Sequence, residues 1–558
     1  MASSSSSDEN LLQWSDENPL ADTNTTDTDT NLLQWCLDNG VIAPKLRIEG
    51  KGVHRGLIAI EPIYPSETLL TIPSSLLISR SKCLCDPLLE RVYKEQARLF
   101  DHQEDAVLAV FLAFHKAVLG EKSTWWTYLK CLPSIEVISD WEEEDLFELQ
   151  DAALAELARQ RRDESHQLAI SIVTKLCLSY PRLFPTEVFT ESLFLWAYKN
   201  VASRGFGSRV DEVQLVPLAD MFNHSNESRT KYELFQVPTR LNDCGSNNGG
   251  EGDKVEVEDA EKEKDVKTTS LLRKDFDGHS VPDENNDSNS SNKKTLFRMY
   301  ATGESSGYAA GDMVTFSYGR RDNAHLLMEY GFALGENEHE TLSLVKPPRS
   351  LQTLSHEAKE VLHNEQYVNA PFQLFSGRLD AHLLSYFRAI SLSQSAESYT
   401  RWEKGGIRSL NHPFSVEGEQ LALSLYAEYL REVLSTSFPT SIEEDESRLK
   451  EVQPGSRISL ALQYRLEKKY LLQRHVLMSA NRLKELNAVI ASHSMITDMT
   501  ALESLPALFG ARKKSEGKQA TFLNINDHDN NEEEEEDVGG FKLSDLSGKS
   551  SDNDNDDD

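Results

Sequence analysis

The sequence predicts an α+β protein made of two units, because strand patterns and helical patterns occupy different parts of the chain. Strand-like runs occur before residue 80 and again within 213–318, on either side of a mostly helical stretch at 86–205. Beyond about residue 345 the apolar residues follow helical spacing almost throughout. We therefore predict a strand-containing unit at 31–340 with a helical insertion, followed by an all-helical unit at 345–512.

The acidic charge of the chain is concentrated in three segments. The 558 residues include 91 Asp and Glu against 58 Lys and Arg, a formal net charge of −33. Residues 1–30, 241–295 and 515–558 hold most of this excess and are rich in Ser, Asn, Asp and Gly. Such segments bury too little apolar surface to offset the entropy of ordering, so we predict that they are disordered. The charge also argues against nucleic-acid and membrane partners, since both select basic surfaces.

The apolar and cysteine patterns indicate a soluble protein without a metal site. The longest apolar run, at 106–114, is nine residues long, whereas a membrane helix needs about 20. The six cysteines are scattered without a CxxC pair, which favours free thiols in a reducing compartment. The acidic, Arg-poor start is unlike a transit peptide. We predict a monomer in the cytosol or nucleus, and the chloroplast stays open.

The elements are predicted from local patterns in chain order. A helical run at 32–36 stops at Asn39-Gly40, and strands at 56–60 and 68–73 flank a turn at Pro65-Ser66. A strand followed by polar residues is predicted at 213–221. Further along, the patterns predict strands at 231–237, 296–300 and 312–318, a helix at 323–330 and a long helix at 457–486.

Three motifs place polar or aromatic residues at predicted strand ends. The first is HRGLIA at 54–59, where a glycine lets backbone approach a ligand closely. The second is PLADMFNHS at 217–225, and the third is GDMVTFSYG at 311–319, followed by YGF at 330–332. Each motif taken alone is better explained as an ordinary strand or turn than as a binding site.

Taken together and in this order, the three motifs resemble those of the SET-domain protein methyltransferases. The segments that carry the resemblance are RGLIA, ADMFNHS and VTFSYG followed by NAHLLMEYGF. The resemblance is to the subfamily of the Rubisco large-subunit lysine methyltransferase, which includes the actin-histidine methyltransferase, and covers roughly 35–500. It implies a split SET domain with a helical insertion and a helical C-terminal substrate-binding domain. It also implies S-adenosylmethionine as the cofactor, a protein substrate and no metal.

The resemblance also implies roles for individual residues. Tyr318 matches the catalytic tyrosine of the family, and Asp220 and Tyr232 match substrate contacts. Tyr330 and Phe332 match aromatic residues that wall the cofactor and the lysine channel. The cofactor contacts carried over by position are Arg55, Gly56, Leu57, Arg204, Asn223, His224, Tyr330 and Phe332.

This chain departs from the family pattern in two places. The family's first loop usually reads GxGL after an acidic residue, whereas here Val53 precedes His54-Arg55-Gly56-Leu57, so the resemblance there extends only to the backbone. The acidic insert at 241–295 lengthens the stretch between the second and third motifs and favours a basic protein substrate.

The resulting functional prediction is a lysine N-methyltransferase that acts on a non-histone protein. Tyr330 favours lysine because a tyrosine there fits an aromatic lysine channel. Two alternatives stay open at this point: methylation of histidine, and an inactive SET-like module that binds a basic partner.

Overall fold

The structure is a computed structural model that shows the predicted mixture of short strands and helices. It describes residues 25–50, 55–101, 103–207, 212–238, 293–303, 306–344, 354, 356–364, 372–392 and 410–492. The strands are β1 (Leu46–Glu49), β2 (Gly56–Ala59), β3 (Thr68–Pro73), β4 (Ile78–Ser79), β5 (Gln214–Leu215), β6 (Asn223–His224), β7 (Thr230–Pro238), β8 (Lys293–Ala301), β9 (Met313–Phe316), β10 (Thr341–Leu344) and β11 (Phe372–Phe375).

Most of the helices lie in the two predicted helical regions, 86–205 and 345–512. Those up to residue 204 are α1 (Thr25–Asp38), α2 (Arg80–Leu84), α3 (Glu90–Glu95), α4 (Glu104–Ala113), α5 (Trp126–Leu129), α6 (Glu143–Glu148), α7 (Ala152–Ser179) and α8 (Glu191–Arg204). Those that follow are α9 (Asn323–Glu329), α10 (His356–Asn364), α11 (Ala381–Leu392), α12 (Val416–Ser437), α13 (Ile442–Glu451) and α14 (Arg457–Ser492). Of these, α1, α2 and α9 lie outside the two predicted helical regions.

One small sheet brings the three sequence motifs together. Its strand order is β1-β2-β9-β6. β2 runs antiparallel to β9, with Leu57 opposite Val314, and β6 runs parallel to β9, with Asn223 opposite Thr315. Because β2, β6 and β9 each carry one motif, strand pairing places segments far apart in the chain side by side. A second sheet, β3-β8-β7, packs into the same apolar core.

The helical insertion encloses this core from one side. α4 is buried all round, since every residue from 106 to 113 is buried, as expected of a helix that is apolar on all faces. α8 packs against α4 and α7, and its C-terminal end leads directly to β5. None of the helices in the described ranges is long and apolar enough to cross a membrane.

The C-terminal unit is built on α14, the longest helix at 36 residues. α12 and α13 pack along it, and α11 packs on α12. The predicted helix at 457–486 is confirmed and extends to Ser492. The α+β fold class is likewise confirmed, with helices dominating the C-terminal region.

Four details of the predicted organisation are wrong. The segment predicted as disordered at 1–30 includes the start of α1, which is held by the burial of Leu32 and Cys36. The insert at 241–295 ends in β8, because Lys293 pairs with Pro238 of β7. The C-terminal unit is not entirely helical, since β11 pairs with β10. The strand predicted at 213–221 is confined to β5 and gives way to a 3₁₀ turn at Ala219–Met221. The rest of the three acidic segments lies outside the described residues.

Candidate active site

The first and second motifs touch each other through Gly56 and Asn223. The Asn223 Nδ2 donates a hydrogen bond to the Arg55 carbonyl at 3.2 Å and contacts the Met313 sulfur at 3.4 Å. A Cβ atom on Gly56 would lie 2.7 Å from the same nitrogen, closer than non-bonded atoms can approach. A glycine is therefore required here, and it lets two strand backbones and an amide side chain share one corner of the sheet.

Tyr318, from the third motif, is fixed at both its backbone and its hydroxyl. Its N–H donates to His224 Nδ1 at 3.1 Å, and its hydroxyl donates to the Phe222 carbonyl at 2.8 Å. Burial raises the pKa of Tyr318 to about 12 and lowers the pKa of His224 to about 4. At neutral pH Tyr318 is therefore protonated, and His224 is neutral with Nδ1 as an acceptor.

Aromatic rings surround Tyr318 and form a pocket, here called the aromatic pocket. The ring centroid of Tyr318 lies 4.9 Å from that of Tyr330 and 5.0 Å from those of His224 and Phe316. Phe332 lies 6.0 Å from both His224 and Tyr330. The pocket is lined by Phe206, Tyr232, Phe316, Tyr318 and Tyr330, together with Arg204 and Asp220.

Asp220 and Arg204 form the polar part of this pocket. The Asp220 side chain is fully buried and accepts a hydrogen bond from the Tyr128 hydroxyl at 2.9 Å. Arg204 Nη1 donates to the Asp220 carbonyl at 2.8 Å and lies 3.5 Å from its carboxylate. Desolvation raises the pKa of Asp220, and Arg204 opposes that shift. Asp220 Oδ1 and Arg204 Nε are buried without a hydrogen-bond partner in the described chain, so the site still has polar capacity for a ligand.

The glycine of the YGF motif has a steric role. Gly331 has a φ of 75°, which favours glycine, and a Cβ atom there would lie 1.9 Å from the carbonyl oxygen of Glu136. The chain can therefore turn against the helical insertion and carry Tyr330 and Phe332 back to Tyr318. Backbone strain also occurs at Leu218, a buried non-glycine residue with a φ of 77° near the start of the second motif.

Most of the residues singled out from the sequence converge on this place. Arg204, Asp220, Tyr232, Tyr318 and Tyr330 all line the aromatic pocket. The others adjoin it along the sheet: Gly56 contacts Asn223, and His224 and Phe332 contact Tyr318.

Two of the residues predicted to contact the cofactor face elsewhere with their side chains. The Arg55 guanidinium donates to the Cys131 carbonyl at 2.9 Å and to Asp29 at 2.5 Å. The Leu57 side chain is fully buried in the core. Both residues therefore offer only backbone groups to a ligand at this corner, in keeping with the departure of the first loop from the family pattern.

Sequence reasoning missed two residues of the site. Phe206 lies two positions after Arg204, and its ring lies 5.1 Å from Tyr232 and 5.4 Å from Phe316. Its place next to a predicted contact was a usable signal. Tyr128, in contrast, lies in α5 of the helical insertion, and nothing local links it to Asp220, which is 92 positions away.

No group of His, Cys, Asp and Glu in the described ranges could hold a metal ion.

Known proteins resemble this chain in sequence and in fold. Residues 351–472 match the family model described as Rubisco LSMT substrate-binding. The fold matches the SET domain of LSMT bound to lysine and AdoHcy, with a TM-score of 0.53 and 21% identity over 87% of this chain and 99% of that one. The recognition made from the motifs is confirmed. The chain is similar to the Rubisco LSMT-like SET-domain proteins in sequence and in fold.

The relatives with curated names are protein methyltransferases. The chloroplastic fructose-bisphosphate aldolase-lysine N-methyltransferase of Arabidopsis thaliana is 24% identical, over 78% of this chain and 80% of that protein. The chloroplastic Rubisco large-subunit N-methyltransferase of Pisum sativum is 24% identical, over 78% of each chain. The actin-histidine N-methyltransferase of Mus musculus is 24% identical, over 76% of this chain and 64% of that protein. A further LSMT structure, solved with AdoMet, matches with a TM-score of 0.51 and 20% identity over 86% of this chain and 99% of that one.

Proposed function

We propose that this chain is an S-adenosylmethionine-dependent N-methyltransferase that modifies a lysine of a non-histone protein. The observation that carries the proposal is the aromatic pocket, in which a fixed tyrosine hydroxyl meets a desolvated, ring-lined cavity. The relatives named as protein methyltransferases and the LSMT structures solved with AdoMet or AdoHcy support the cofactor. Protein rather than nucleic acid as the substrate agrees with the relatives named for aldolase, Rubisco and actin.

The residues at the site fit this cofactor. Backbone groups of Arg55 and Gly56 lie beside the Asn223 amide, which is a suitable surface for the polar ends of a nucleoside and an amino acid. When it is bound, S-adenosylmethionine supplies a methyl group carried on a sulfonium. Arg204 and Asp220 retain unpaired buried polar atoms next to the same corner. The altered first loop thus still offers backbone contacts.

The part that Tyr318 plays follows from its hydrogen bond. Because its proton is directed to the Phe222 carbonyl, the lone pairs of its hydroxyl oxygen stay available to accept an N–H of the substrate amine. That contact turns the amine lone pair toward the reacting carbon, and such positioning accounts for much of the rate in a displacement of this kind. With a pKa of about 12, Tyr318 orients the amine as a neutral group and does not serve as the base.

The lining of the aromatic pocket favours lysine over histidine. The lysine side chain has a long aliphatic stem, which Phe206, Tyr232 and Phe316 can enclose. A lysine ammonium has a pKa near 10.4 in water, and removal from water lowers that pKa and releases the reactive amine. An imidazole needs a polar partner for its second nitrogen. Phe206 and Phe316 offer none, so the polar side of the pocket at Arg204 and Asp220 would have to supply it.

Histidine methylation remains the second candidate, because one relative is named an actin-histidine N-methyltransferase. A module without turnover is the third, motivated by the altered first loop. Two of the relatives are named chloroplastic.

The test compares the full chain with Tyr318→Phe. Each protein is incubated with methyl-labelled S-adenosylmethionine and a cell extract whose proteins are still folded, and labelled residues are identified by mass spectrometry. We expect methyllysine from the wild type and a loss of about 100-fold in rate for Tyr318→Phe. Tyr180→Phe is the matched control, since it loses a hydroxyl hydrogen bond to Glu95 on the outside of the insertion.

Three other results would overturn parts of this proposal. Methylhistidine in place of methyllysine would select the second candidate. An absence of label together with an absence of cofactor binding in calorimetry would select the third. Full activity of Tyr318→Phe would remove the orienting role of the tyrosine.

A further inference from the structure

A second cavity lies along α8 next to the aromatic pocket, and we call it the α8 groove. α8 contributes Tyr198, Lys199 and Ala202 to it, and the residues that follow at 203–206 line the aromatic pocket. Tyr330 lines both cavities. A peptide segment whose target side chain enters the aromatic pocket would therefore pass beside the α8 groove, and one of its neighbouring side chains could enter there.

The cations of the α8 groove are already paired. Arg161 donates to Glu329 at 2.5 Å, with Glu329 in α9. Lys199 forms an ion pair with Asp140. Neither cation is available to attract an acidic guest without first giving up its partner.

Asp105 is the acid of the α8 groove whose carboxylate forms no ion pair or hydrogen bond in the described part of the chain. It lies in the first turn of α4 and lines the groove. Burial, with a contribution from the nearby Glu104 and Glu329, raises the pKa of Asp105 to about 6, and the charge of Arg161 opposes this shift. Asp105 in turn raises the pKa of Tyr198, after burial itself, so the carboxylate and the phenol lie close together.

We propose that the α8 groove is a substrate subsite that takes an arginine or lysine side chain next to the residue that enters the aromatic pocket. This inference rests on the proposed function, because it names the class of protein sequence that the enzyme selects. A cationic guest would give Asp105 the partner it lacks, and a partly buried carboxylate gains more from pairing than an exposed one. Leu195, Tyr198 and Met328 offer apolar surface for the methylene stem of the guest.

The test uses Asp105→Asn, which keeps the shape of the side chain and removes its charge. Glu104→Gln is the matched control, since Glu104 precedes Asp105 in the same helical turn but is exposed and does not line the groove. Any effect of a lost charge on the helix dipole is common to both variants. Each full-length protein is incubated with labelled S-adenosylmethionine and a cell extract whose proteins are still folded, and methylated sites are mapped with their flanking sequences.

We expect wild-type sites to be enriched in Arg or Lys at a fixed offset from the methylated lysine. At those sites Asp105→Asn should lose at least tenfold in rate, whereas Glu104→Gln should match the wild type. Asp105→Lys should shift the preference at the same offset toward Asp or Glu, an effect that simple loss of stability cannot produce. Thermal unfolding of all variants checks that they are folded.

Wild-type sites without that enrichment, or unchanged rates and preference in Asp105→Asn, would overturn this inference and leave the proposed function intact. No methylation by the wild type would overturn the proposed function, and this inference with it.

Discussion

The aromatic pocket and the contact of α13 and α14 with the helical insertion are built by different means. The pocket excludes water with rings and keeps Tyr318 and His224 neutral, as their shifted pKa values indicate. The contact, here called the junction, buries charges. Arg465 and Asp445 pair at 2.6 Å with both side chains fully buried, and Lys469 reaches the same carboxylate at 2.5 Å.

The two regions have different tasks. A methyl-transfer site benefits from a dry environment that favours a neutral amine. The junction instead benefits from directional contacts that allow one geometry. Arg465 Nη1 reaches the Glu148 carbonyl at 2.7 Å and its carboxylate at 2.9 Å. Lys468 pairs with Glu340, beyond the YGF turn, at 2.5 Å. The C-terminal unit is thereby tied to the segment that carries Tyr330.

The largest effect should follow from breaking the junction at its centre. Asp445→Asn leaves Arg465 and Lys469 buried without a full counter-charge, so we expect a loss of about 3–5 kcal/mol in the free energy of unfolding. Chemical denaturation measures it, with the exposed Glu443→Gln of the same helix as control. The triple variant Asp445→Leu, Arg465→Met and Lys469→Met should recover most of the loss. An Asp445→Asn protein as stable as the wild type would show that these charges contribute little.

The aromatic pocket should respond to acid, because it holds a neutral histidine. The pKa of His224 is about 4 in the folded chain and near 6.5 when unfolded. Between these values the unfolded state binds more protons, so stability falls as the pH drops from 6.5 toward 4, by up to about 3 kcal/mol. His224→Gln should remove that share of the decline, whereas the exposed His166→Gln should not. Equal pH dependence of all three proteins would contradict the buried neutral His224.

A smaller effect is expected at the rim of the junction. Arg448 binds Glu148 through two hydrogen bonds of 2.7 and 2.8 Å, but its side chain is 41% exposed. We expect Arg448→Gln to cost less than about 1 kcal/mol, since solvent screens the pair. The same denaturation measurement compares it directly with Asp445→Asn. A loss as large as that of Asp445→Asn would mean that burial does not decide the strength of these contacts.

The smallest effect should come from removing the acidic insert, which belongs to neither region. Deletion of 241–292, with a short Gly/Ser linker in its place and β8 kept whole from Lys293, should leave the unfolding temperature unchanged. The insert has no core-forming pattern. Calorimetry of the deletion variant measures this, and the loss of a cooperative transition would show that the insert contributes to folding.

Much of the fold was predictable from the sequence because the signals were local. The helical spacing at 457–486 and the glycine before a strand at 56 are patterns that can be recognised from neighbouring residues alone. The structure has α14 and β2 at these positions. The three motifs also indicated the site, since each stands at a strand end and the resemblance to SET-domain proteins gave their order. The separation of acidic segments from a nearly balanced body was likewise a matter of counting.

The remaining features depend on contacts between distant positions. Tyr128 joins Asp220 across 92 residues, and Arg465 joins Glu148 across 317, so no local pattern could have paired them. β11 forms because it pairs with the edge of β10. α1 begins before residue 31 because its apolar face packs against the core. The sequence by itself determined which chemistry is present and roughly where each element lies. Only the tertiary structure decided which side chains lose their water, and with it their pKa values and their charge partners.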